Sequence, residues 1–500
     1  MMRGMFLILL SSVLALGCNY RKQSDVQPPV EVPDSYTEGS EITVPPENGA
    51  DAPPESKTTS NVEAVRDVRW WRHMGDPTLT SLIEEALRRN QSVRAGWARV
   101  QQARYIANQV RAARMPQIVA VGDFNAAKSF SPFGETTSLS AGGSLPVSYE
   151  VDLFARRARE HQGAKLDAQA ARLDQAALAI AISAEVAEAW FDSVNSRVEV
   201  AVVAEQLETD LRFLELVELR YREGLNSAVD VHQQRQRVAS QRALLAMSDA
   251  RTELTDQRLS VLLGEAPGRE FPLDDKVLPD IGPTPEIEVP ATLLQARPDI
   301  QAVQKRVEAE DRRAAAAVGA RLPTITIDFT PSYSWLRSKI TTTGAIGGMA
   351  GEELPAITAK GLTWASGARF SVPLFDGIAG MSQIRAQRAV VDQLLEQYAE
   401  TILNALFEVE SSLVLERQER LRIQYLEDEF RLANITLEAT RDRYRAGLSD
   451  FLPVLTALAT RQISELQLVA ARRQLVSYRV QLYRALGGAW PEEFGEPEDD

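Results

Sequence analysis

Two stretches of the sequence are too long and too regular to fold as anything but very long helices. Residues from about Phe154 to Glu223 contain no proline and a single glycine, Gly163, and residues from about Met381 to Ala446 contain neither. In the first stretch apolar residues recur every seven positions, at Leu166, Leu173, Ile180 and Ala187. This heptad predicts helices ~100 Å long. They cannot bury their apolar stripes in an ordinary core, so we expect an elongated helical bundle or tube.

Short landmark motifs occur twice in the chain, in the same order and at similar spacing. The pairs are Arg114–Ile118 with Arg321–Ile325, Val151–Phe154 with Val372–Phe375, and Tyr221–Leu225 with Tyr444–Leu448. The sequence therefore predicts an internal two-fold repeat of helix, strand pair, long helix, turn and helix, over residues 61–264 and 291–488. The shorter helices are predicted at about Leu79–Arg114, Ala228–Leu263, Thr292–Arg321 and Asp450–Leu486.

Alternating apolar and polar residues predict the strands. In the second half, Ile325, Ile327, Phe329, Tyr333 and Trp335 alternate with small polar residues, and a similar run leads to Phe370 and Val372. Runs of about ten residues with one apolar face and terminal aromatic residues are typical of membrane-spanning barrel strands. The hairpins are predicted at 118–153 and 324–375. In the first half the alternation is weaker, over Ile118–Phe124 and Leu139–Leu153, and the second run contains Pro146.

Four strands per chain lead directly to a prediction about assembly. Four strands cannot close a barrel, and an open edge in hydrocarbon leaves backbone groups without hydrogen bonds at several kcal/mol each. Three copies would supply twelve strands, an even number within the known range for barrels. A barrel of that size is wider than one filled by its own side chains. The sequence thus predicts an α+β membrane protein that is a homotrimer around a conduit.

The first residues predict export from the cytoplasm. Arg3 precedes an apolar run of about a dozen residues, the length of a signal peptide and too short for a spanning helix. Cys18 follows Gly17 directly in the run Leu14–Cys18, which looks like a bacterial lipobox. We therefore predict a signal peptide at 1–17 and lipidation of Cys18; the alternative is a plain cleaved signal with an incidental cysteine. Residues 18–60 are rich in proline and polar residues and predict an extended tether.

Composition excludes several other classes of function. The net charge is −14, with one cysteine and three histidines in 500 residues. An acidic chain without basic runs is a poor candidate for binding nucleic acid. The histidines at 73, 161 and 232 share no motif, and no nucleotide-binding loop, HExxH or nucleophile elbow occurs. We predict no enzymatic activity, no cofactor and no metal site, so that energy for transport must come from another component.

The chain resembles the outer-membrane factors of tripartite efflux pumps, the TolC-like channels, and in particular the lipid-anchored branch that serves resistance–nodulation–division pumps. The resemblance rests on Trp70-Trp71 followed by Asp76–Leu79, and on the tract Ala291–Ile300 with its Arg-Pro-Asp-Ile sequence at the start of the second half. It covers about Trp70 to Gly488. It implies a homotrimer with a twelve-stranded outer-membrane barrel, continuous with a long periplasmic helical barrel. Residues 265–290 would form an equatorial linker, and 489–500 an acidic C-terminal tail.

The resemblance assigns partner contacts to the two glycine turns. In the family these turns lie at the periplasmic tip and meet the hairpins of a periplasmic adaptor, the membrane-fusion protein. The matching residues here are Tyr221, Arg222, Gly224, Leu225, Tyr444, Arg445, Gly447 and Leu448. The alternative is that these residues only end one helix and begin the next, with Ser227 and either Ser449 or Asp450 as caps.

The same resemblance implies a gate at the tip. In TolC-like channels a tyrosine and an aspartate from the two turns form part of the closing latch, and the matching positions are Tyr444 and Asp230. Pro453 and Thr456 stand where some members carry an aspartate ring, which argues against a carboxylate gate. Asp450, Leu452 and Leu455 are alternative gate residues. For Asp230 and Tyr444, capping or packing is an equally good interpretation.

These observations predict a passive exit duct of a tripartite efflux pump, anchored in the outer membrane and extending into the periplasm. Its partners would be the adaptor, an inner-membrane transporter of the resistance–nodulation–division type, and outer-membrane lipid. Its cargo would be small molecules such as drugs or metal ions. One alternative is the exit channel of a type I protein secretion system, although the lipid anchor argues against it. A second is a lipid-anchored coiled-coil scaffold without a pore, which the alternating strands disfavour.

Overall fold

The computed structural model describes residues 28–30, 32–33, 69–131, 134–271, 278–285, 290, 296–342 and 355–487. The predicted signal peptide, Cys18, most of the predicted tether and the predicted acidic tail at 489–500 lie outside these residues. The chain forms two compact units. The described part of the first comprises residues 101–131, 134–170, 304–342 and 355–396, and that of the second the remaining described residues. The fold is α+β and mainly helical.

A short 3-10 helix, Trp70–Met74, precedes the seven longer helices in the described residues. These helices are α1 (Pro77–Arg89), α2 (Gln91–Ala112), α3 (Arg156–Arg222), α4 (Ala228–Leu262), α5 (Pro298–Gly319), α6 (Ala379–Arg445) and α7 (Phe451–Leu486). The two long helices, α3 and α6, have 67 residues each. Their ends agree with the heptad-based prediction to within about two residues, the usual uncertainty of a helix boundary.

The first flanking helix differs from the prediction, because Leu79–Arg114 is interrupted at Asn90. Asn90 has an extended backbone, with φ −59° and ψ 130°, and ends α1. Its side-chain oxygen then accepts hydrogen bonds from the backbone N–H groups of Ser92 (2.8 Å) and Val93 (3.3 Å), so it also caps α2. Its amide group donates to the carbonyl oxygen of Leu262 at 2.7 Å. One side chain therefore caps the start of α2 and satisfies a carbonyl group at the end of α4.

The first unit is built around one antiparallel sheet. Its strands are β1 (Gln117–Ile118), β2 (Val121–Ser131), β3 (Gly134–Ser144), β4 (Val147–Val151), β5 (Thr324–Thr342) and β6 (Ile357–Ser371). Both β3 and β4 pair with β5, β2 pairs with β3, β1 with β4, and β6 with β5. The sheet is therefore four strands wide, because β1 with β2 and β3 with β4 act as two interrupted strands.

The hairpin of the first half is longer than its alternation predicts. The strands β2 and β3 pair continuously from Val121 with Ser144 to Ser131 with Gly134. Many of these residues are Ser, Ala, Gly and Thr, which give no apolar alternation to detect. Pro146 has no N–H to donate and separates β3 from β4. Leu145 nevertheless donates to the carbonyl oxygen of Pro331 at 3.0 Å, so the alignment with β5 continues across the break.

The two faces of the sheet differ in chemistry, because directly paired residues point to the same face. Ile325 pairs with Phe370, and Tyr333 with Leu362. The face that carries them, named here the apolar face, also bears Phe124, Leu139, Phe329, Trp335 and Trp364. On the opposite or polar face, the hydroxyl groups of Ser332 and Thr363 lie 2.8 Å apart. This is the alternation that the sequence predicts for a sheet with one face in lipid.

Both outer strands of the sheet leave one edge open. Within the described strands, β2 pairs only with β3 along its length, and β6 pairs only with β5. Each edge therefore presents a row of backbone N–H and C=O groups without a strand partner.

The second unit has its main core around the Trp70-Trp71 segment. Trp70 stacks on Tyr483 with ring centroids 5.6 Å apart. Asp76 caps α1, and its other carboxylate oxygen accepts a hydrogen bond of 2.7 Å from the indole nitrogen of Trp190 in α3. Apolar side chains of α1 and α3 fill the space between them, including Leu79, Ile83, Trp190 and Phe191.

Residues 282–284 of the predicted linker contact a buried ion pair that contains Arg479. Arg479 in α7 pairs with Glu416 in α6 at 2.6 Å and donates to the carbonyl oxygens of Gly282 and Pro283 at 3.0 Å. Thr284 donates to the same carboxylate at 2.9 Å. Burial opposes ionisation of Glu416, but the hydrogen bond and charge of Arg479, helped by Arg420 and Thr284, hold its pKa below the ordinary value.

Among the helices described by the structure, none is both long enough and apolar enough to cross a membrane.

Candidate functional site

The first glycine turn ends α3 with a left-handed residue. Gly224 has φ +72°, which a side chain would strain. The N–H of Leu225 donates to the carbonyl oxygen of Arg220 at 2.8 Å, and that of Gly224 to Tyr221 at 3.0 Å. This pair of bonds is a Schellman motif, which satisfies carbonyl groups left free at a helix end. Glycine is therefore required here by backbone geometry alone.

The second turn repeats the same geometry at the end of α6. Gly447 has φ +71°. Leu448 donates to Arg443 at 2.9 Å, and Gly447 donates to Tyr444 at 3.0 Å. The helices that follow begin differently. Ser227 and Asp230 form a reciprocal capping box at the start of α4, whereas Asp450 precedes α7 without a hydrogen bond from its side chain.

The matching residues of the two turns differ in exposure. Leu225 and Leu448 are 65% and 72% exposed, large values for apolar side chains. Tyr221 is 48% exposed, but Tyr444 is only 2% exposed. Arg222 and Arg445 are exposed as well. Of the eight residues predicted to contact an adaptor, Tyr444 alone is buried among the described residues of the turns.

Asn226 connects the two turns. Its side-chain oxygen accepts hydrogen bonds from the hydroxyl of Tyr444 (2.9 Å) and from Nε of Arg220 (3.1 Å). Its amide nitrogen donates to the carboxylate of Asp230 at 3.2 Å. The structure therefore brings Tyr444 and Asp230, the two predicted latch residues, to the same amide group.

The ring of Tyr444 is held from several sides. The guanidinium of Arg220 lies 4.4 Å from its centroid, and Phe451 packs against it with centroids 5.6 Å apart. Val217, Val231 and Val454 complete a small apolar cluster around it. Burial raises the pKa of Tyr444 above its ordinary value, although the nearby charge of Arg220 acts in the opposite direction. The hydroxyl therefore remains protonated and available as a donor.

The other predicted gate residues lie at the start of α7, with Asp450 just before the helix. Asp450 and Leu452 are exposed, and Leu455 is half-buried against the cluster around Tyr444. Pro453 and Thr456 are also exposed. Proline is tolerated at this position because the first helical N–H groups have no acceptor within the helix.

Sequence reasoning missed Asn226 and Arg220. In the repeat, Asn226 aligns with Ser449, so the position is not shared between the turns. An asparagine immediately after a Gly-Leu turn was the available signal, since an asparagine amide can both donate and accept. Its target, 218 positions away, could not be identified from the local sequence.

No metal site emerges from the side chains that the structure places. Within the described ranges, no group of three or more His, Cys, Asp or Glu residues is arranged to hold a metal ion. The predicted lipidation site, Cys18, lies outside these ranges.

The family model described as "Outer membrane efflux protein" matches residues 82–265 and 289–488. The pyoverdine export outer membrane protein OpmQ of Pseudomonas putida is 29% identical over 463 residues, covering 89% of this chain and 94% of that protein. The probable outer membrane lipoprotein SilC of Salmonella typhimurium is 24% identical, covering 87% and 91%. The solved outer-membrane channel OprN has a TM-score of 0.75 at 24% identity, covering 90% and 99%. The chain therefore belongs to the outer membrane efflux protein family, the outer-membrane channels of tripartite pumps.

Proposed function

We propose that three copies of this chain form the exit duct of a tripartite pump that exports small molecules. The open edges of β2 and β6 carry this proposal. Neither edge is tolerable in hydrocarbon, where unpaired backbone groups cost several kcal/mol each. If β6 of one chain pairs with β2 of the next, a closed ring leaves no edge. Three four-stranded sheets supply the twelve strands of the predicted barrel.

The helices of the second unit support the same closure. Ion pairs join α4 to α3 (Arg197 with Asp256, 2.6 Å), α3 to α7 (Glu188 with Arg473, 2.5 Å), and α7 to α6. Of these helices, α4 and α6 carry the large exposed apolar residues Met247, Leu254, Phe407 and Tyr425. Exposed apolar residues on two helices of the unit are suited to contacts between neighbouring copies. A head-to-tail contact of this kind closes into a ring.

The internal repeat is supported by element lengths and by the family match. The long helices are equal at 67 residues, and α4 and α7 have 35 and 36. The family model matches two successive segments, each of which contains one long helix. A repeat explains why two strands come from each half of the chain.

The anchor and the partners follow from the sequence and the relatives. SilC is named as an outer membrane lipoprotein, which supports lipidation of Cys18 in this chain. The exposed Leu225 and Leu448 support the two turns as the adaptor-binding tip. OpmQ is named for pyoverdine export, which favours small-molecule cargo over the alternative of type I protein secretion. The transporter would be of the resistance–nodulation–division type.

The gate is proposed at the same tip. The bonds from Asn226 to Tyr444, Arg220 and Asp230 tie the end of α3 and the start of α4 to the end of α6. This arrangement favours a latch that holds the turns together at rest, with Leu452 and Leu455 as candidate residues for an apolar constriction.

Single-channel recording in planar bilayers tests the duct. We expect the purified wild-type protein to insert and give discrete conductance steps, and Asn226→Ala to give larger or longer openings. If neither protein conducts, the duct is excluded and the alternative of a lipid-anchored scaffold without a pore is favoured.

A further inference from the structure

The basic residues of the sheet are distributed unequally between its two faces and between its two ends. The six described strands contain five basic residues: Lys128, Arg337, Lys339, Lys360 and Arg369. The first four lie near the end where β2 meets β3, named here the hairpin end. The fifth, Arg369, lies near the opposite end, next to the helices, and pairs with Thr326 on the polar face.

Strand register places the first four on the apolar face. Arg337 pairs with Leu139, and Lys360 with Trp335, both of which point to that face. Lys128 pairs with Thr137, which in turn pairs with Lys339. At ~4.8 Å between strands and ~7 Å between alternate residues of one strand, the four basic groups fall within a patch about 20 Å across. Within the described strands, Glu135 supplies one carboxylate to the patch and pairs with Lys128. We name these five residues the basic patch.

Aromatic residues lie directly next to the basic patch, toward the helices. Trp335 and Tyr333 precede Arg337 on β5, and Trp364 follows Lys360 on β6. Phe329 packs beside Trp364, with ring centroids 6.5 Å apart. The tyrosine and tryptophan side chains of this face thus lie between its apolar part and the cationic residues, and Phe130 lies beside Lys128 within the basic patch. A membrane-facing surface with this order meets acyl chains, the interface and then headgroups.

The polar face has no such enrichment at the same end. Its residues there include Ser129, Thr136 and Ser338. Basic residues placed to act on cargo inside a pore would lie on this face. Their position on the other face indicates a ligand in the membrane plane.

We infer that the basic patch binds the phosphorylated headgroup of lipopolysaccharide in the outer leaflet. Three or four cationic groups within one patch suit a headgroup that carries several phosphates, and arginine can bind phosphate with two parallel hydrogen bonds. The adjacent aromatic and aliphatic residues are placed to receive the acyl chains of the same molecule. This inference rests on the proposed function, which places the apolar face in the outer membrane with its hairpin end outward.

Quantifying retained lipid tests the inference. Wild type, the triple variant Arg337→Gln/Lys339→Gln/Lys360→Gln and the control Arg369→Gln are reconstituted in phosphatidylcholine nanodiscs and titrated with purified lipopolysaccharide. We expect wild type and control to bind alike and the triple variant to bind about tenfold or more weakly, since each basic residue near an anionic surface contributes to binding. Wild type should also bind dephosphorylated lipopolysaccharide about tenfold or more weakly.

Two results would overturn the inference: unchanged binding by the triple variant, or equal binding of the phosphorylated and dephosphorylated lipids by wild type. The second arm needs no variant, so misfolding of the triple variant does not remove the test. Conductance of the same wild-type preparation separates the two proposals. A conducting protein that does not prefer phosphorylated lipid contradicts only the lipid site, whereas a non-conducting one contradicts the duct.

Discussion

The hydroxyl of Tyr444 donates a 2.9 Å hydrogen bond to the side-chain oxygen of Asn226, 218 positions earlier in the chain. This bond connects the two turns that the sequence presents as copies of one motif. The copies are not equivalent, because Tyr444 is buried in an apolar cluster and Tyr221 is exposed. The difference separates a tyrosine that is held against the neighbouring turn from one whose side chain is exposed.

Replacing Tyr444 by phenylalanine should loosen the tip, and the same change at Tyr221 should not. Tyr444→Phe leaves Asn226 with one fewer donor in a partly buried site, at a cost of about 1–2 kcal/mol. Hydrogen exchange at residues 220–231 and 442–455 should accelerate about tenfold or more. Tyr221→Phe removes an exposed hydroxyl and serves as the control. Equal exchange in the two variants would contradict the latch.

Charge placed on the exposed leucines should block adaptor binding. The substitutions Leu225→Asp and Leu448→Asp place carboxylates at two positions whose side chains are exposed in the described turns. Both turn glycines are kept. Loss of a buried leucine anchor at an interface typically weakens binding by 2 kcal/mol or more, about thirtyfold. The measurement is crosslinking to the cognate adaptor, with Glu223→Ala as the control in the same turn. Undiminished crosslinking by the double variant would show that the turns only end helices.

Bulky residues in place of the turn glycines should also block adaptor binding, because they change the backbone geometry of the turns. Gly224 and Gly447 both have φ near +70°, so a larger residue strains the turn. We expect Gly224→Leu and Gly447→Leu to abolish adaptor crosslinking while the oligomer survives gel filtration. Preserved crosslinking in both variants would contradict the assignment.

Removal of the Glu416 charge should destabilise the protein in a pH-dependent way. The pKa of Glu416 is lowered in the folded state. The contribution of this carboxylate to the free energy of unfolding is therefore present above the unfolded pKa of 4.5 and is lost as the pH falls through the folded pKa. The substitution Glu416→Gln leaves Arg479 buried without its charge partner, which should lower the free energy of unfolding by about 3 kcal/mol near neutral pH. The melting-temperature difference from wild type should be constant between pH 7 and 5 and shrink below about 4.5.

Glu427→Gln is the matched control for that experiment. Its ion pair with Arg472 is half-exposed on both sides, so the change should cost less than about 1 kcal/mol. A difference in melting temperature between Glu416→Gln and wild type that increases on acidification would contradict the assignment of the low pKa.

Lipidation of Cys18 has a direct chemical test. The N-terminal peptide of the mature wild-type protein should carry acyl groups on Cys18, and Cys18→Ser should lack them. Because the strands would still hold the chain in the membrane, we expect the variant to remain in the outer-membrane fraction. An unmodified wild-type peptide beginning elsewhere would favour the plain cleaved signal.

Periodicity explains what could be predicted and what could not. The stretches that form α3 and α6 contain almost no glycine or proline over many turns, so the sequence predicts their ends to within about two residues. Asn90 was missed because a single asparagine does not interrupt an apolar pattern, and its stabilising partner, Leu262, is distant in sequence. The strands β2 and β3 were only partly predicted, because their small residues pack without an apolar alternation. Asn226 was missed for the same reason as Asn90, since its partner is distant too.

The mass of the intact particle tests the central claim most directly. Native mass spectrometry of the full-length protein, released from detergent, reports how many copies complete the sheet. We predict one species with three times the mass of the mature chain. A monomer that keeps its native secondary structure in detergent would contradict the claim that neighbouring copies close the open edges of β2 and β6.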